Sequence, residues 1–442
     1  MRTKQFSKWF KKLSKMQIFP KSIVVKTLIA GFLIFLGMFF YRTGLLFFPD
    51  SEGYINMDIY RSLGYPMFLQ IHRYIFGSNY LQAAIITQFL LVLYSCFYFV
   101  QSLEKTFLQN DYFLIIIFFL LCIPLFYEFK VANIILSEAV AYPLYLLSVS
   151  QLFLGVFHKK VKHFYFGLLF TLLAVLVRGQ FLFLIPVFIA SILIAFRTNL
   201  LKKNMILLLS STILVPFAAI ATDISYHYIK HDIAATTPWT GIQIASLPFF
   251  VSDATDHKIF KDSKEQKYFT YIHTKLSDKN LLFSQIPSDK GTMIFYFEKY
   301  TAICNETINS DGEKLFNNLK SDNEKVVAND IMSAKMAAPL IIDNYEKYIK
   351  MYLQNIGFGF GTNKYFLLYL LLLGFSFFQI IKNQKSFFWI IFICCLCAIA
   401  NILLVSLAEP SQSRYVFYNN WVLITIFLIL FDNLKREKAY GN

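Results

Sequence analysis

Charge is scarce in this chain. Only 16% of its 442 residues are Asp, Glu, Lys or Arg, against 57% hydrophobic. That is too little polar surface to cover a soluble fold of this size. Cysteine excludes little more than a disulfide framework: Cys96, Cys122, Cys394, Cys395 and Cys397 lie in apolar stretches and leave Cys304 alone in a polar one. The Cys394-Cys395-Cys397 group has no nearby histidine and reads as packing rather than a zinc site. Internal repeats and charges in the middle of apolar runs are both missing, which speaks against an alternating-access transporter. The glycines of "GFGFG" at 357–361 follow no strand, so they predict a hinge before a membrane helix rather than a phosphate loop.

What is present is a series of apolar runs of roughly 17 to 25 residues, each long enough to cross a bilayer as a helix. Ten spans are predicted, at roughly 24–47, 81–103, 112–128, 134–157, 162–178, 181–196, 205–222, 364–381, 386–407 and 415–432. The net charge of +15 is placed by topology rather than by nucleic acid. Residues 1–27 carry eight Lys/Arg and no acid, and further clusters stand at Lys159-Lys160-Lys162, Arg197 with Lys202-Lys203, Lys382 with Lys385, and Lys435-Arg436-Lys438. These follow alternate spans, the positive-inside pattern, and predict cytoplasmic termini. The abundance of Lys, Phe, Ile and Asn suggests a low-GC genome and hence a bacterial inner membrane.

The predicted organisation is a cytoplasmic amphipathic segment over 1–23, seven spans over 24–222 with a first outer loop at 48–80, an extracytoplasmic and mainly helical insert over 223–363, three spans over 364–432, and a tail over 433–442. The insert is nearly neutral, with 17 acids and 16 lysines between Asp223 and Lys364. Pro339 is expected to break its second long helix. In the first outer loop, Pro49-Asp50-Ser51 reads as a helix start and Leu63-Gly64-Tyr65-Pro66 as a break followed by a second helix. Met67, Phe68, Ile71, Tyr74 and Ile75 share the apolar face of that helix, which is expected to lie at the interface with His72 solvated.

This topology gathers Asp50, Glu138, Arg178 and Arg414 at one membrane face, although they are far apart in sequence. Rim and intramembrane charges cost free energy and are generally kept for function. The motifs that carry them are "DSEGY", "RSLGYPMFLQ", "LSEAVAYPLYLLS", "VLVRGQFLFLIPVFI", "ANDIMSAKMAAPLIIDNYEKYIKMYLQNI" and "SRYVFYNNWVLI". In this order they resemble the integral-membrane glycosyltransferases of the C class, the superfamily of dolichyl-phosphate-mannose mannosyltransferases and aminoarabinose transferases. The chain departs from that pattern at Leu63 and Gly179, where proline is usual, and in spacing its carboxylates as Asp50-x-Glu52.

The resemblance implies an all-α enzyme that takes a sugar from a polyprenyl-phosphate donor and passes it to an extracytoplasmic glycan, lipid or protein acceptor. Asp50 is then the general base. Glu52, Tyr54, Arg61, Tyr65, Glu138, Arg178, Arg414 and Tyr415 would surround the substrate. Chemistry gives the same division of labour, because an acceptor hydroxyl needs a base and a departing lipid phosphate needs fixed guanidiniums. A single displacement inverts the anomeric centre; a covalent route would need Glu52 or Glu138 as a second carboxylate.

Each residue also has a plainer reading. Asp50 can be an N-cap, Glu52 a first-turn acid, Arg61 a headgroup contact, and Tyr54 and Tyr65 interfacial aromatics. A divalent metal, with Asp50 and Glu52 as its only evident ligands, stays open. Two other functions compete with sugar transfer: polymerisation of lipid-linked oligosaccharides, and transport of a lipid or glycan.

Overall fold

The structure is a computed structural model and describes residues 23–108, 110–383 and 386–440. The amphipathic helix expected before Ile23 lies outside them. All regular structure among the described residues is helical. Seven helices are long and apolar enough to cross a membrane: Lys26–Thr43, Gly64–Thr106, Glu138–His158, Lys203–His231, Asn363–Lys382, Ser386–Ala408 and Ser413–Lys435. This is an all-α polytopic membrane protein. The other three expected spans are apolar helices too, Asp111–Phe126, Val161–Val177 and Gly179–Ala195, but none exceeds 17 residues.

The Glu138–His158 helix is the axis of the molecule, with 94% of its span buried. It packs against Tyr80–Thr106 on one side and Val161–Val177 on another. Lipid offers no hydrophobic drive for such contacts, so close fit has to supply it. A Cβ on Gly155 would stand 2.9 Å from the Phe164 ring, and one on Gly167 would stand 2.7 Å from Phe188. Ser148 and Thr171 add a hydroxyl pair at 2.8 Å between Glu138–His158 and Val161–Val177.

The insert has its own core. Ile242, Phe249, Phe250, Phe269, Tyr296, Ile303, Met336 and Met351 pack together, apart from the membrane core. The Lys203–His231 helix runs past the expected boundary at 222, so the insert begins on a continuous helix. Ser321 and Glu324 form a capping box at the start of Asp322–Asp343. That helix passes through Pro339 and stops at Asn344, contrary to the break expected at the proline. The Asn344 N–H closes the last turn on the Leu340 carbonyl at 3.0 Å, and its Nδ2 donates to Asp256 at 2.7 Å.

The glycines at 357–361 do close a helix before the membrane. Gly361 is left-handed at φ 81°, and a Cβ on Gly359 would meet Ser411 at 2.7 Å. The insert is thereby seated on the turn that follows Ser386–Ala408.

Candidate functional site

The loop after Lys26–Thr43 folds as a six-residue helix and a turn that aim Asp50 and Arg61 at each other. Ser51–Asn56 is the first helix, and Asp50 precedes it without capping it. Ser51 Oγ accepts the Phe48 N–H at 2.8 Å instead. Met57, left-handed at φ 59°, turns the chain, and Arg61 comes back across the Tyr54 ring at 4.7 Å. Gly53 leaves room for this return, because a Cβ there would be 2.8 Å from Arg61 Nε.

Two neighbouring stretches fix the loop. Ser62 Oγ donates to the Val177 carbonyl at 3.3 Å, and Gly64 lies so close that a Cβ would be 2.6 Å from Val177 N. Only glycine fits that approach, which places the loop directly beside Arg178. On its other flank Leu46 pairs with the chain before Glu138, giving Leu46 N to Asn133 O at 2.9 Å and Ile135 N to Leu46 O at 3.2 Å.

The charged side chains then form an alternating chain. Arg61 Nη2 is 3.0 Å from Asp50 Oδ1, and Arg414 Nη2 is 2.9 Å from Asp50 Oδ2. Arg414 also donates through Nε to Glu138 Oε1, which Arg178 Nη1 contacts at 2.8 Å. The order is Arg61, Asp50, Arg414, Glu138, Arg178. Three guanidiniums face two carboxylates and leave one positive charge uncancelled. Exposure rises from 1% at Glu138 to 33% at Asp50, so Asp50 is the end that an incoming group meets. Burial pushes the Asp50 carboxyl up, but Arg61 and Arg414 outweigh it and hold it below its usual value.

Polar residues that the sequence reading did not single out brace this chain. Ser137 Oγ donates to Glu138 Oε2 at 3.2 Å and accepts the Tyr54 hydroxyl at 3.0 Å. Arg178 Nε donates to Gln180 Oε1 at 3.0 Å, and Gln180 in turn donates to Asn401 and to the Tyr415 carbonyl, each at 2.6 Å. The Tyr415 ring lies 4.8 Å from the Arg178 guanidinium. A buried Asn401 in the middle of an apolar helix was a legible signal.

Asp50, Arg61, Glu138, Arg178, Arg414, Tyr54 and Tyr415 are therefore brought together. Tyr54 is buried beneath Arg61 rather than set at a lipid interface. Tyr65 is fully buried and donates to Gln88 Oε1 at 2.8 Å, which makes it a support of the loop rather than a surface for ligand. Glu52 is exposed and joins no ion pair among the described residues. Both Asp50 oxygens are taken by guanidiniums, and no group of three or more His, Cys, Asp or Glu able to hold a metal occurs among the described residues. His72, expected in solvent, is buried between the Phe68 carbonyl at 2.8 Å and Thr87 at 2.9 Å.

The insert closes over the same loop. Tyr60 donates to Glu313 at 2.7 Å and its ring meets Trp239 at 5.4 Å. Chemically the assembly offers a half-exposed carboxylate beside fixed guanidiniums in a partly dry setting, a combination suited to an anion with a reacting hydroxyl next to it. No family model matches this chain, and neither a characterised protein nor a solved structure is similar to it.

Proposed function

We propose that this protein is a membrane glycosyltransferase that moves one sugar from a polyprenyl-phosphate donor to an extracytoplasmic glycan, lipid or protein acceptor. The observation that carries the reading is Arg414 shared between Asp50 and Glu138, with Arg61 and Arg178 at the two ends. The motifs that hold these same residues resemble those of the C class of membrane glycosyltransferases. In this reading all ten apolar helices span the bilayer, both termini are cytoplasmic, and the site faces outward from a bacterial inner membrane.

The ion pairs suggest how the reaction is gated. The donor phosphodiester competes for Arg61 and Arg414, and as it takes them Asp50 loses the cations that suppress its basicity. Asp50 then accepts the proton of the acceptor hydroxyl while that oxygen attacks the anomeric carbon and the bond to the lipid phosphate breaks. The configuration inverts. Polyprenyl phosphate departs with its new charge held by the guanidiniums. A positioned base contributes about 10² to 10⁴-fold, and fixed cations at the leaving group about as much again.

The test is transfer from labelled polyprenyl-phosphate sugars by the purified protein in nanodiscs, with membrane extract as acceptor. Donor consumption that Asp50→Asn abolishes supports the reading. Unconsumed donors, with lipid-linked oligosaccharides joined instead, would replace it by polymerisation.

A further inference from the structure

One carboxyl group near the site is left unused by the ion-pair chain. Glu409 stands in the turn between the Ser386–Ala408 helix and Ser413, is 9% exposed, and has no hydrogen-bond partner at Oε2. Its place is imposed by the backbone. Glu409 N–H donates to the Val405 carbonyl at 2.9 Å, and Asn355 Nδ2 donates to the Glu409 carbonyl at 2.9 Å. Asn355 Oδ1 also accepts the Ser411 N–H at 2.8 Å, and Tyr300 donates to the Ala408 carbonyl at 3.3 Å. A carboxyl group fixed this firmly with an empty oxygen is an exception to the rule that buried polar groups are satisfied.

The groups that face it come from both parts of the molecule. Arg178, Arg414, Glu138 and the Tyr415 hydroxyl act on it from the membrane part. Tyr296, Tyr300 and Cys304 approach from the insert. Tyr415 is the physical link, since its hydroxyl lies at Glu409 and its ring at Arg178. Burial pushes the Glu409 carboxyl up to about 7, against the pull of Arg178, Tyr415 and Arg414. The single uncancelled positive charge of the five-membered chain is thus subject to a sixth group, which is neutral with its proton and cancels that charge without it.

We propose that Glu409 sets the affinity of this site for an anionic phosphodiester, keeping its proton while the anion is bound and weakening the hold on the anion when the proton leaves. The inference rests on the lipid-phosphate reading above for the identity of the anion. A phosphodiester suits the test because, unlike a monoester whose second ionisation falls near pH 6, it keeps one charge throughout. Proton and anion then bind together, and the affinity must fall as pH rises through 7.

The experiment measures binding of a polyprenyl-phosphate sugar to the purified protein in phosphatidylcholine nanodiscs at pH 6 and pH 8, with and without phosphatidylglycerol. Wild type is expected to bind about tenfold more weakly at pH 8, and Glu409→Gln equally at both. A flat wild-type profile, or the same slope in Glu409→Gln, overturns the role of Glu409 and leaves the donor reading in place. Binding of no phosphodiester at any pH overturns both. Competition by phosphatidylglycerol with the pH slope intact keeps the role of Glu409 and removes the polyprenyl donor as its specific ligand. Infrared difference spectra give a second readout: the carboxylic-acid band lost in Glu409→Gln should titrate near neutrality in the free protein and move to higher pH when the diester is added. A band that does not titrate between pH 6 and 8 overturns the inference.

Discussion

Arg414 donates through Nε to Glu138 across 276 residues of sequence, and its Nη2 reaches Asp50 at 2.9 Å. One guanidinium thereby sets the distance between an interior carboxylate and the exposed one. A lysine carries the same charge on a single point and cannot hold both carboxylates in a plane. Arg414→Lys is expected to lower kcat by about 10- to 100-fold in the sugar-transfer assay, since a misplacement of about 1 Å can cost 10²-fold.

Asp50→Asn should reduce transfer by at least about 10²-fold, the contribution of a general base. Asp50 caps no helix, so any loss in thermal unfolding should be confined to its two ion pairs with Arg61 and Arg414. Because its folded carboxyl is held low, the stability its ion pairs contribute is fully present above the unfolded value near pH 4 and is lost as pH falls through the lowered one. No loss of ionised Asp50 is expected between pH 5 and 8.

Glu138→Gln should be a folding mutation. The carboxylate is 1% exposed and pairs with Arg178 and Arg414 together. Removing one partner of a buried ionic group costs about 3 to 5 kcal/mol. The double variant with Arg178→Gln should recover part of that loss in thermal unfolding of the detergent-solubilised protein.

Gly64→Ala tests the docking of the first loop. A methyl group 2.6 Å from Val177 N must push the loop off the end of the Val161–Val177 helix. The expected result is transfer reduced by about 10²-fold with expression near normal, because the displaced residues are Asp50 and Arg61. Activity equal to wild type would mean that the loop tolerates the shift.

Glu409 predicts a stability profile of its own. Its carboxyl is raised by burial from 4.5 to about 7, so the unfolded chain ionises first. Stability should fall as pH rises from about 4.5 to 7 and then level, by about 3 kcal/mol in total at 1.36 kcal/mol per unit. Glu409→Gln should flatten that slope in thermal unfolding.

Much of this was legible in the sequence because charge in an apolar chain is conspicuous. Asp50, Glu138, Arg178 and Arg414 each interrupt the end of an apolar run, and the alternation of basic clusters puts them on one face. Glu409 follows the Ser386–Ala408 helix in the same way and is open to the same argument. The supporting contacts were not legible. Nothing in a Tyr or a His says which neighbour it will meet, so Tyr65 reads as interfacial and His72 as solvated when both are buried and bonded. Pro339 misled for a related reason. A proline costs one backbone bond, and the packed faces around Asp322–Asp343 hold the helix through it.

The long span between Glu138 and Arg414 also bears on how the protein is made. As the chain leaves the ribosome, the axial helix and its carboxylate enter the membrane long before the cation that completes their neutralisation. Arg178 can meet Glu138 early, and Asp50 has Arg61 close by, whereas the link between Asp50 and Glu138 must wait for the segment at 414. The nascent protein therefore passes through a stage with its helices inserted and its chain of ion pairs unfinished. A chain that ends within the insert carries Asp50 and Arg61 and lacks the guanidinium that joins Asp50 to Glu138.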